Sequence, residues 1–500
     1  LAGFVVIRAL GVWGTIYAAA GLNLLVALAA WHLSRGETAA AGEARDTAEP
    51  TPSASDAVSR GALRPALLLL AVFLSGFISI GYELVWMRSV VHLLGADTYV
   101  FSAVLTMYLL GNVAGAWIGS RLAGFLRNPA AGFGLSMSVL GLAGLVYMPW
   151  LIFWSDHPGE WLWLLEGRMS AELLVWAPPA MPIVHAVGLF IVPSILMGVG
   201  FPMALEAWHG FQRGTGRPTS VVYSVNTIGA VLSGIATGFL CIPLLGIQGT
   251  IVGFGTAGMV TGVVVLATGD RFRLRRVAIV GSACACIAMW FAVPGDLFIR
   301  RMVTYPHTEL LDVDEGVTTT VSVHEEQDGD LWLCTSGIQV AGDELKSVQR
   351  MLGHFGMLLH PDPRSVLSVG FGSGETTRCL AMHRPERLDC VEISPELAQM
   401  SLRHFRDTNL GDELHDHVNM IYMDAKNYLH LTDRTYDLII NDSISPKAFA
   451  ENASLYTREY FQSALDHLNP DGMLVCWTPF NMPPDCFKSV VGTFAEVFPH

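Results

Sequence analysis

The sequence predicts a multi-pass α-helical membrane region followed by an α/β domain that a small β-meander precedes. Of the 500 residues, 52% are hydrophobic and only 15% are charged, with positive mean hydropathy, whereas soluble domains carry about 25% charged residues. Charges are sparse from Pro65 to Val293, and an ordinary soluble mixture begins at Asp312. The chain therefore contains at least two domains.

The composition also excludes some classes of partner. The net charge is −14, and neither a basic stripe nor an acidic tail is present, so a nucleic-acid partner is not expected. The eight cysteines form no Cys-x-x-Cys pair, and Cys284 and Cys286 lie inside an apolar run. We therefore predict free thiols and no metal site.

Eight apolar stretches come close to the roughly 20 residues that cross a bilayer. They are Ala9–Trp31, Ala66–Val90, Thr98–Ser120, Ala130–Trp154, Met181–Trp208, Val221–Leu245, Gln248–Thr268 and Val277–Val293. The eighth is short enough to be interfacial or re-entrant. Between the first two, Ser34 to Arg64 is rich in Ala, Glu, Thr, Ser and Pro, which predicts a disordered linker.

A repeat is visible within the apolar region. The stretch from Ile7 to Ile16 aligns with the stretch from Ile242 to Ile251 at a constant offset of 235, which is 246 − 11. We expect the first apolar stretch to be the last helix of an earlier, truncated copy, and residues 66–268 to be a complete six-helix unit. Chance coincidence of Gly and Ile in apolar sequence is the alternative.

These observations divide the chain into five parts. They are a last helix of the truncated repeat (1–32), a linker (33–64), the membrane region (65–295), the β-meander (312–345) and the α/β domain (346–500), which we expect to be C-terminally truncated.

Arginines in the loops between the apolar stretches indicate the orientation, because Lys and Arg are retained on the cytoplasmic side. Four arginine-bearing loops, within 35–64, 121–127, 213–217 and 271–276, fall on one face. We predict a multi-pass protein of the cytoplasmic membrane, with the lipid bilayer as a partner. We favour a cytosolic soluble domain with an eighth stretch that does not span; if that stretch spans, the domain faces the other side.

Two polar residues lie inside apolar stretches. Glu83 is costly in hydrocarbon unless it is paired or faces a polar interior, so it is a candidate functional residue of the membrane region. The alternative for Glu83 is a buried hydrogen bond to a neighbouring helix or to Arg88. Asn226 sits among small residues and is expected to join helices.

The soluble domain opens with three short alternating stretches, 318–324, 331–335 and 338–340, which predict a β-meander. The apolar strand Ser365–Val369 then runs into a turn with glycines at 370, 372 and 374 and on into a helix. Such glycines let backbone N–H groups approach a nucleoside-bearing ligand at a helix N-terminus. The pattern indicates a Rossmann-like domain.

Three acidic residues follow the next strands of this domain in order. Glu392 ends the second strand, 18 residues beyond Gly374, where a carboxylate can accept hydrogen bonds from a ribose diol. Asp424 follows the third strand, where it could meet an adenine amine, and Asp442 follows the fourth, at the edge where open α/β sheets bind ligands. The alternative is that Glu392 and Asp424 only cap the helices after their strands.

The glycine spacing alone is also compatible with a nicotinamide dehydrogenase. A resemblance to a known family favours a different class of enzyme. Together these motifs resemble the S-adenosylmethionine-dependent methyltransferase fold, and residues 318–499 resemble the spermidine synthase family. The resemblance extends to its branch fused to major-facilitator-like membrane helices. It is carried by 337–340, 342–344, 349–351 with His354, 370–374, 391–394, Asp424-Ala425, 436–442, 455–461 and 468–472.

The resemblance implies transfer of an aminopropyl group from decarboxylated S-adenosylmethionine to a small amine such as putrescine. Asp442 would accept the proton. The nucleoside would be held by Gln339, Gly370, Gly372, Ser373, Gly374, Glu392, Asp424 and Ala425, and the substrate by Gln349 and Ser445. The oligomeric state stays open, with a homodimer as one option.

The chain departs from the family's pattern at acidic positions. Ser445 and Ser373 stand where the family carries Asp, and Arg350 stands where it carries Glu, while Val348 replaces a Tyr. A diamine would lose carboxylate partners as a result. Two alternatives therefore remain: a methyltransferase that uses ordinary S-adenosylmethionine, and a transporter whose soluble domain senses a nucleoside or polyamine.

Overall fold

The computed structural model describes most of the chain. The described residues are 7–43, 64–95, 98–156, 177–211, 216–267, 280–284, 287–288, 294–409, 417–443, 451–479, 482 and 484–498.

Long helices form the N-terminal half of the chain. They are α1 (Ile7–Glu43), α2 (Pro65–Leu94), α3 (Thr98–Phe125), α4 (Pro129–Asp156), α5 (Ala177–His209), α6 (Gly216–Ala236) and α7 (Ile242–Ala267), with the π-helical turn Thr237–Cys241 between α6 and α7. Within the described residues, five helical stretches are long and apolar enough to cross a membrane. They are Pro65–Leu94, Tyr99–Phe125, Pro129–Asp156, Val184–His209 and Pro218–Ala267.

Glycines allow these helices to pack closely. A Cβ added to Gly111, Gly115 or Gly119 of α3 would lie 2.0–2.4 Å from atoms of α5, so α3 and α5 touch backbone to backbone. Asn226 of α6 donates from Nδ2 to the Val72 carbonyl of α2 at 3.2 Å. This is the joining role that the sequence predicts for it.

The two aligned stretches share an unusual local geometry. Gly11 and Gly246 both break their helices, with φ/ψ of 69°/178° and 70°/174°. In each stretch the threonine four residues later donates its hydroxyl to the glycine carbonyl at 2.7 Å, as Thr15 and Thr250. A repeated unit would produce this agreement. The break at Gly246 also falls between the predicted sixth and seventh apolar stretches.

Two predicted segments next to the long helices can be compared with the structure, the linker 33–64 and the eighth apolar stretch. Helix α1 continues to Glu43, so residues 33–43 of the predicted linker are helical. Alanines and glutamates in this segment have high helix propensity, which explains the extension. Most of the eighth apolar stretch, 277–293, lies outside the described residues.

A four-stranded antiparallel sheet connects the helices to the C-terminal domain. It consists of β1 (Thr308–Glu315), β2 (Thr320–Glu326), β3 (Leu331–Thr335) and β4 (Ile338–Gly342), in that spatial order. The two residues between β3 and β4, Ser336 and Gly337, have φ of 46° and 82°, as a tight hairpin turn requires. The predicted meander is observed, with β1 as an additional strand.

The C-terminal domain is a parallel sheet flanked by helices. Its strands are β5 (Ser365–Val369), β6 (Arg387–Glu392), β7 (Asn419–Tyr422), β8 (Tyr436–Asn441) and β9 (Leu468–Cys476). Its helices are α8 (Lys346–Leu359), α9 (Glu375–Met382), α10 (Pro395–His404), α11 (Arg406–Asn409), α12 (Ala425–Leu431), α13 (Arg458–Asp466) and α14 (Pro484–Val497).

The order of these strands determines where a ligand can bind. The spatial order is β7-β6-β5-β8-β9, and every neighbouring pair is parallel. The chain leaves β5 first toward β6 and later returns to β8 on the other side, which creates a crevice at the carboxyl ends of β5 and β8. Both sheet faces are covered, since Leu438, Ile439 and Ile440 of β8 are fully buried. The predicted Rossmann-like fold is confirmed.

Candidate active site

The glycine turn after β5 adopts a conformation that side chains rarely allow. Gly370, Gly372 and Gly374 have φ of 87°, 54° and 85°, in the left-handed region that favours glycine. A Cβ on Gly370 would also lie 2.7 Å from the Asp442 carbonyl oxygen. The turn therefore brings the end of β5 against the end of β8, as the sequence predicts.

Glu392 is fixed at the end of β6 by backbone donors. Its Oε2 accepts from the N–H of Phe371 at 2.9 Å, and its Oε1 accepts from the N–H of Ser394 at 2.9 Å. Burial raises the pKa of Glu392, and the two N–H groups oppose that shift. Each oxygen keeps a second lone pair, so binding of a ribose diol remains a prediction for this carboxylate.

Asp442 follows β8 as a buried carboxylate beside the glycine turn. Its N–H donates to the Val369 carbonyl at 3.0 Å, and its Oδ2 accepts from the Thr376 hydroxyl at 2.6 Å. Burial raises the pKa of Asp442 to about 6, and the Thr376 hydroxyl lowers it. A carboxylate with this pKa can accept a proton near neutral pH.

Residues of α8 and β4 approach the glycine turn. The buried Ser373 hydroxyl donates to Gln349 Oε1 at 3.0 Å. From β4, the Cβ of Ala341 lies 3.5 Å from the Cβ position of Gly372, and Gln339 is two residues before Ala341 in the same strand. Among the described residues, Gln339 Nε2 is buried and has no hydrogen-bond partner. An unpaired buried amide is costly, so this donor fits a ligand acceptor.

Asp424 has a structural role in the protein. Its Oδ1 accepts from the Asn427 N–H at 2.9 Å, which caps α12, and Ala425 is the first, buried residue of that helix. This is the capping alternative stated above. The adenine contact of Asp424 and Ala425 remains a prediction, and Ser445 lies outside the described residues.

Arg350 does not add a free positive charge to the site. Its Nε donates to Glu375 Oε1 at 2.6 Å, and Glu375 is fully buried. Arg378 approaches the same oxygen at 3.4 Å. The departure from the family's pattern at position 350 is therefore compensated within the protein by Glu375.

Sequence reasoning missed two residues that organise the site. Thr376 binds Asp442, and the only signal for it is its place in the first turn after the glycines. Asn409 donates from Nδ2 to the Ser373 carbonyl at 3.0 Å, and its Cβ lies 2.6 Å from the Cβ position of Gly374. No motif marks Asn409, since its role depends on the packing of α11 against the turn.

The remaining predictions concern a metal and the helical region. In the described part of the chain, no group of three or more His, Cys, Asp or Glu side chains could hold a metal ion. Glu83 of α2 is hydrogen-bonded to Tyr108 of α3, whereas Arg88 donates to backbone carbonyls of the soluble domain. This contact is the helix-joining alternative for Glu83, and a functional role of Glu83 stays a prediction.

Known proteins resemble this chain over its C-terminal domain and beyond it. Residues 345–498 match the family model of the spermine/spermidine synthase domain. Polyamine aminopropyltransferase 2 of Streptomyces coelicolor is 28% identical over 472 residues, covering 88% of this chain and 80% of that protein. An alignment of this extent includes a part of this chain's helical half.

Some relatives match a smaller share of the chain. Polyamine aminopropyltransferase 2 of Hyperthermus butylicus is 31% identical over 144 residues, and the match covers 28% of this chain and 47% of that protein, about half its length. A crystal structure of spermidine synthase with the transition-state analogue AdoDATO is 25% identical, with a TM-score of 0.35, covering 38% of this chain and 66% of that one. Residues 345–498 are thus similar to the spermine/spermidine synthase domain, and the chain is similar to enzymes named polyamine aminopropyltransferases.

Proposed function

We propose that this chain is a membrane-bound aminopropyltransferase that transfers the aminopropyl group of decarboxylated S-adenosylmethionine to a small amine. The observation that carries the proposal is the pairing of Asp442 with the glycine turn. A buried carboxylate with a pKa of about 6 lies where the ends of β5 and β8 meet. The nucleoside-binding elements surround the same crevice.

The chemistry requires little covalent participation by the protein. The amine nitrogen donates its lone pair to the methylene carbon next to the sulfonium, a C–N bond forms, and the C–S bond breaks. The bonding pair returns to sulfur, which leaves as a neutral thioether, and the new ammonium group releases a proton. Asp442 accepts that proton, and the site aligns the amine with the breaking bond.

The nucleoside fits the residues around the turn. Gln339 supplies an unpaired buried donor, the turn presents its backbone, and Glu392 is held rigidly at the ribose position. Gln349 faces the turn from α8 and, with Ser445, is assigned to the substrate. Asp424 and Ala425 remain the proposed adenine contacts.

Membrane attachment is the second part of the proposal. It is supported by the five apolar helical stretches in the described residues and by the relative whose match extends over 88% of the chain. We place the chain in the cytoplasmic membrane with its soluble domain in the cytosol, where nucleoside substrates are made. A homodimer is left as an option.

Calorimetric titration of the chain with decarboxylated and with ordinary S-adenosylmethionine tests the proposed donor. We expect tighter binding of the decarboxylated compound, and a preference for the ordinary one would overturn the donor assignment. Product analysis then tests the base. We expect turnover of Asp442→Asn to fall about 100-fold or more while nucleoside binding persists, and unchanged turnover would remove Asp442 from this role.

One observation favours a second candidate, a methyltransferase. Ser373 is fully buried and donates to Gln349, so a hydroxyl stands where a carboxylate would pair with the free amine of the decarboxylated donor. Ordinary S-adenosylmethionine carries its own carboxylate and depends less on such a partner. The same titration separates the two donors.

A further inference from the structure

The C-terminal end of α2 contacts the soluble domain at a defined place. Arg88 donates from Nη1 to the Val317 carbonyl and from Nη2 to the Gly316 carbonyl, both at 2.8 Å. These carbonyls belong to the short connection between β1 and β2. The planar guanidinium thus holds two successive peptide units with two parallel hydrogen bonds, a geometry that lysine cannot reproduce.

Helix α7 holds Glu315, the last residue of β1, directly before this connection. The carboxylate of Glu315 accepts from the N–H of Ile247 at 3.1 Å, directly after the helix break at Gly246. Any side chain at Gly246 would collide with this carboxylate, since its Cβ would lie 2.2 Å from Glu315 Oε2. Residues 315–317 are therefore held by contacts with two helices of the membrane region, α2 and α7.

The connection between β1 and β2 lies against the first turn of α10. The Val317 N–H donates to Glu396 Oε1 at 3.4 Å. A Cβ on Gly316 would lie 2.6 Å from the same oxygen, so the backbone passes directly beside the Glu396 carboxylate.

Glu396 continues the contact into the nucleoside site. Its Oε2 accepts from the Ser394 hydroxyl at 3.0 Å, and the Ser394 N–H donates to Glu392 Oε1 at 2.9 Å. Glu392 in turn binds the Phe371 N–H of the glycine turn. A continuous series of hydrogen bonds therefore runs from Arg88 to the proposed ribose-binding carboxylate.

The same end of α2 contacts a second loop, which is the turn between β3 and β4. The β3–β4 turn packs on His92, with the Cβ position of Gly337 3.3 Å from His92 Cα. Two residues after this turn, Gln339 presents its unpaired amide. One helix of the membrane region thus contacts both the turn before Gln339 and the connection that is hydrogen-bonded to Glu396.

We infer that Arg88 is a positioning residue for the nucleoside site, which holds Glu392 in its binding orientation through residues 316–317, Glu396 and Ser394. The inference rests on the proposed nucleoside site. It gives the helical region a role in the site, because Arg88 of α2 supplies one of the contacts that hold residues 316–317.

Binding of 5′-methylthioadenosine, the thioether that aminopropyl transfer releases, tests this with the full chain in lipid nanodiscs. We expect Arg88→Gln to raise its Kd about tenfold and to raise the donor KM similarly with kcat nearly unchanged. Arg88→Lys should recover part of the affinity. Arg121→Gln is the matched control, because Arg121 of α3 packs over the Trp117 ring at 4.6 Å, and it should bind as the wild type does.

A double variant separates positioning from simple destabilisation. Glu396→Ala should weaken binding to a similar degree, and adding it to Arg88→Gln should cost little more, since both interrupt one path. Additive losses of affinity in the double variant, or an unchanged Kd in Arg88→Gln, would overturn this inference. Neither result would overturn the proposed function. A wild-type chain that does not bind the nucleoside would overturn the proposed function and this inference with it.

Discussion

At the residue scale, the central contact is the hydrogen bond from Thr376 to Asp442. The carboxylate is buried, and the 2.6 Å hydrogen bond is the main interaction that favours its charged form. Desolvation therefore raises the pKa of Asp442, and the Thr376 hydroxyl lowers it. Their balance sets the pH range in which Asp442 can accept a proton.

Replacing Thr376 with valine should move the acidic limb of the activity profile. Asp442 accepts a proton only when ionised, and loss of a donor to the ionised form raises its pKa further above the present value of about 6. We expect the limb of kcat/KM to shift upward by about 1 pH unit. Thr377→Val is the control, since Thr377 faces Ser368 and Cys390 instead. A limb that stays in place would show that Thr376 does not tune the base.

The same carboxylate should make stability depend on pH. Its pKa is about 6 in the folded protein and about 3.9 in an unfolded chain, so the folded state binds the proton more tightly. The protein is then most stable below about pH 4 with respect to this group and loses stability as the pH rises toward 6.

Asp442→Asn should therefore be more stable than the wild type above pH 6, by roughly 1–3 kcal/mol. The difference should shrink by about 1 kcal/mol per pH unit between pH 6 and pH 4. Melting temperatures of both proteins between pH 5 and pH 8 measure it. A gain in stability that does not depend on pH would contradict this prediction, because it could not arise from the titration of Asp442.

At the scale of elements, the glycine turn joins β5 to α9 and determines the shape of the site. Gly374 combines a φ of 85° with a Cβ position 2.6 Å from Asn409 Cβ. A side chain there meets both backbone strain and a neighbour on α11 that is itself held by hydrogen bonds. The turn cannot relax without moving Ser373 and its contact with Gln349.

We expect Gly374→Ala to lower the free energy of unfolding by about 1–3 kcal/mol and to abolish nucleoside binding. Gly492→Ala in α14 is the matched control, because its Cβ position has no atom within 4 Å. Alanine in an exposed helix should be neutral or stabilising by up to about 1 kcal/mol. Thermal melting and calorimetric titration of both variants check this, and equal behaviour would contradict it.

The helix breaks at Gly11 and Gly246 are also features of this scale. Both retain the same backbone angles and the same threonine hydrogen bond. At Gly246 the break exposes the N–H of Ile247, which donates to the carboxylate of Glu315. One of the two breaks is thus a point of contact between the helical region and the strand β1, and the repeat itself stays a prediction.

At the scale of the whole molecule, the proposed attachment to the cytoplasmic membrane predicts the side on which the soluble domain lies. Among the described cysteines, Cys284 and Cys486 are exposed, and Cys486 lies on α14 of the soluble domain. In a chain with Cys284→Ser and Cys286→Ser, a membrane-impermeant maleimide should label Cys486 in inverted membrane vesicles but not in intact cells. Labelling in intact cells would place the domain outside and would mean that the apolar stretch 277–293 spans.

Much of the fold and part of the site could be predicted because they depend on local patterns. Apolar runs of bilayer length, alternating strands, and glycines between a strand and a helix act over a few residues. Glu392 and Asp442 were predictable because parallel strands end at the same edge. Asp424 shows the limit, since a residue at that edge can equally cap the next helix.

The sequence by itself therefore determined a helical apolar half, a parallel α/β domain and the sheet edge at which Glu392 and Asp442 lie. Only the tertiary structure decided which groups meet at that edge. Thr376 and Asp442 are 66 positions apart, and Arg88 and Gly316 are 228 apart. No periodicity encodes such pairs, because each depends on how separately formed elements pack and on which buried groups need a partner.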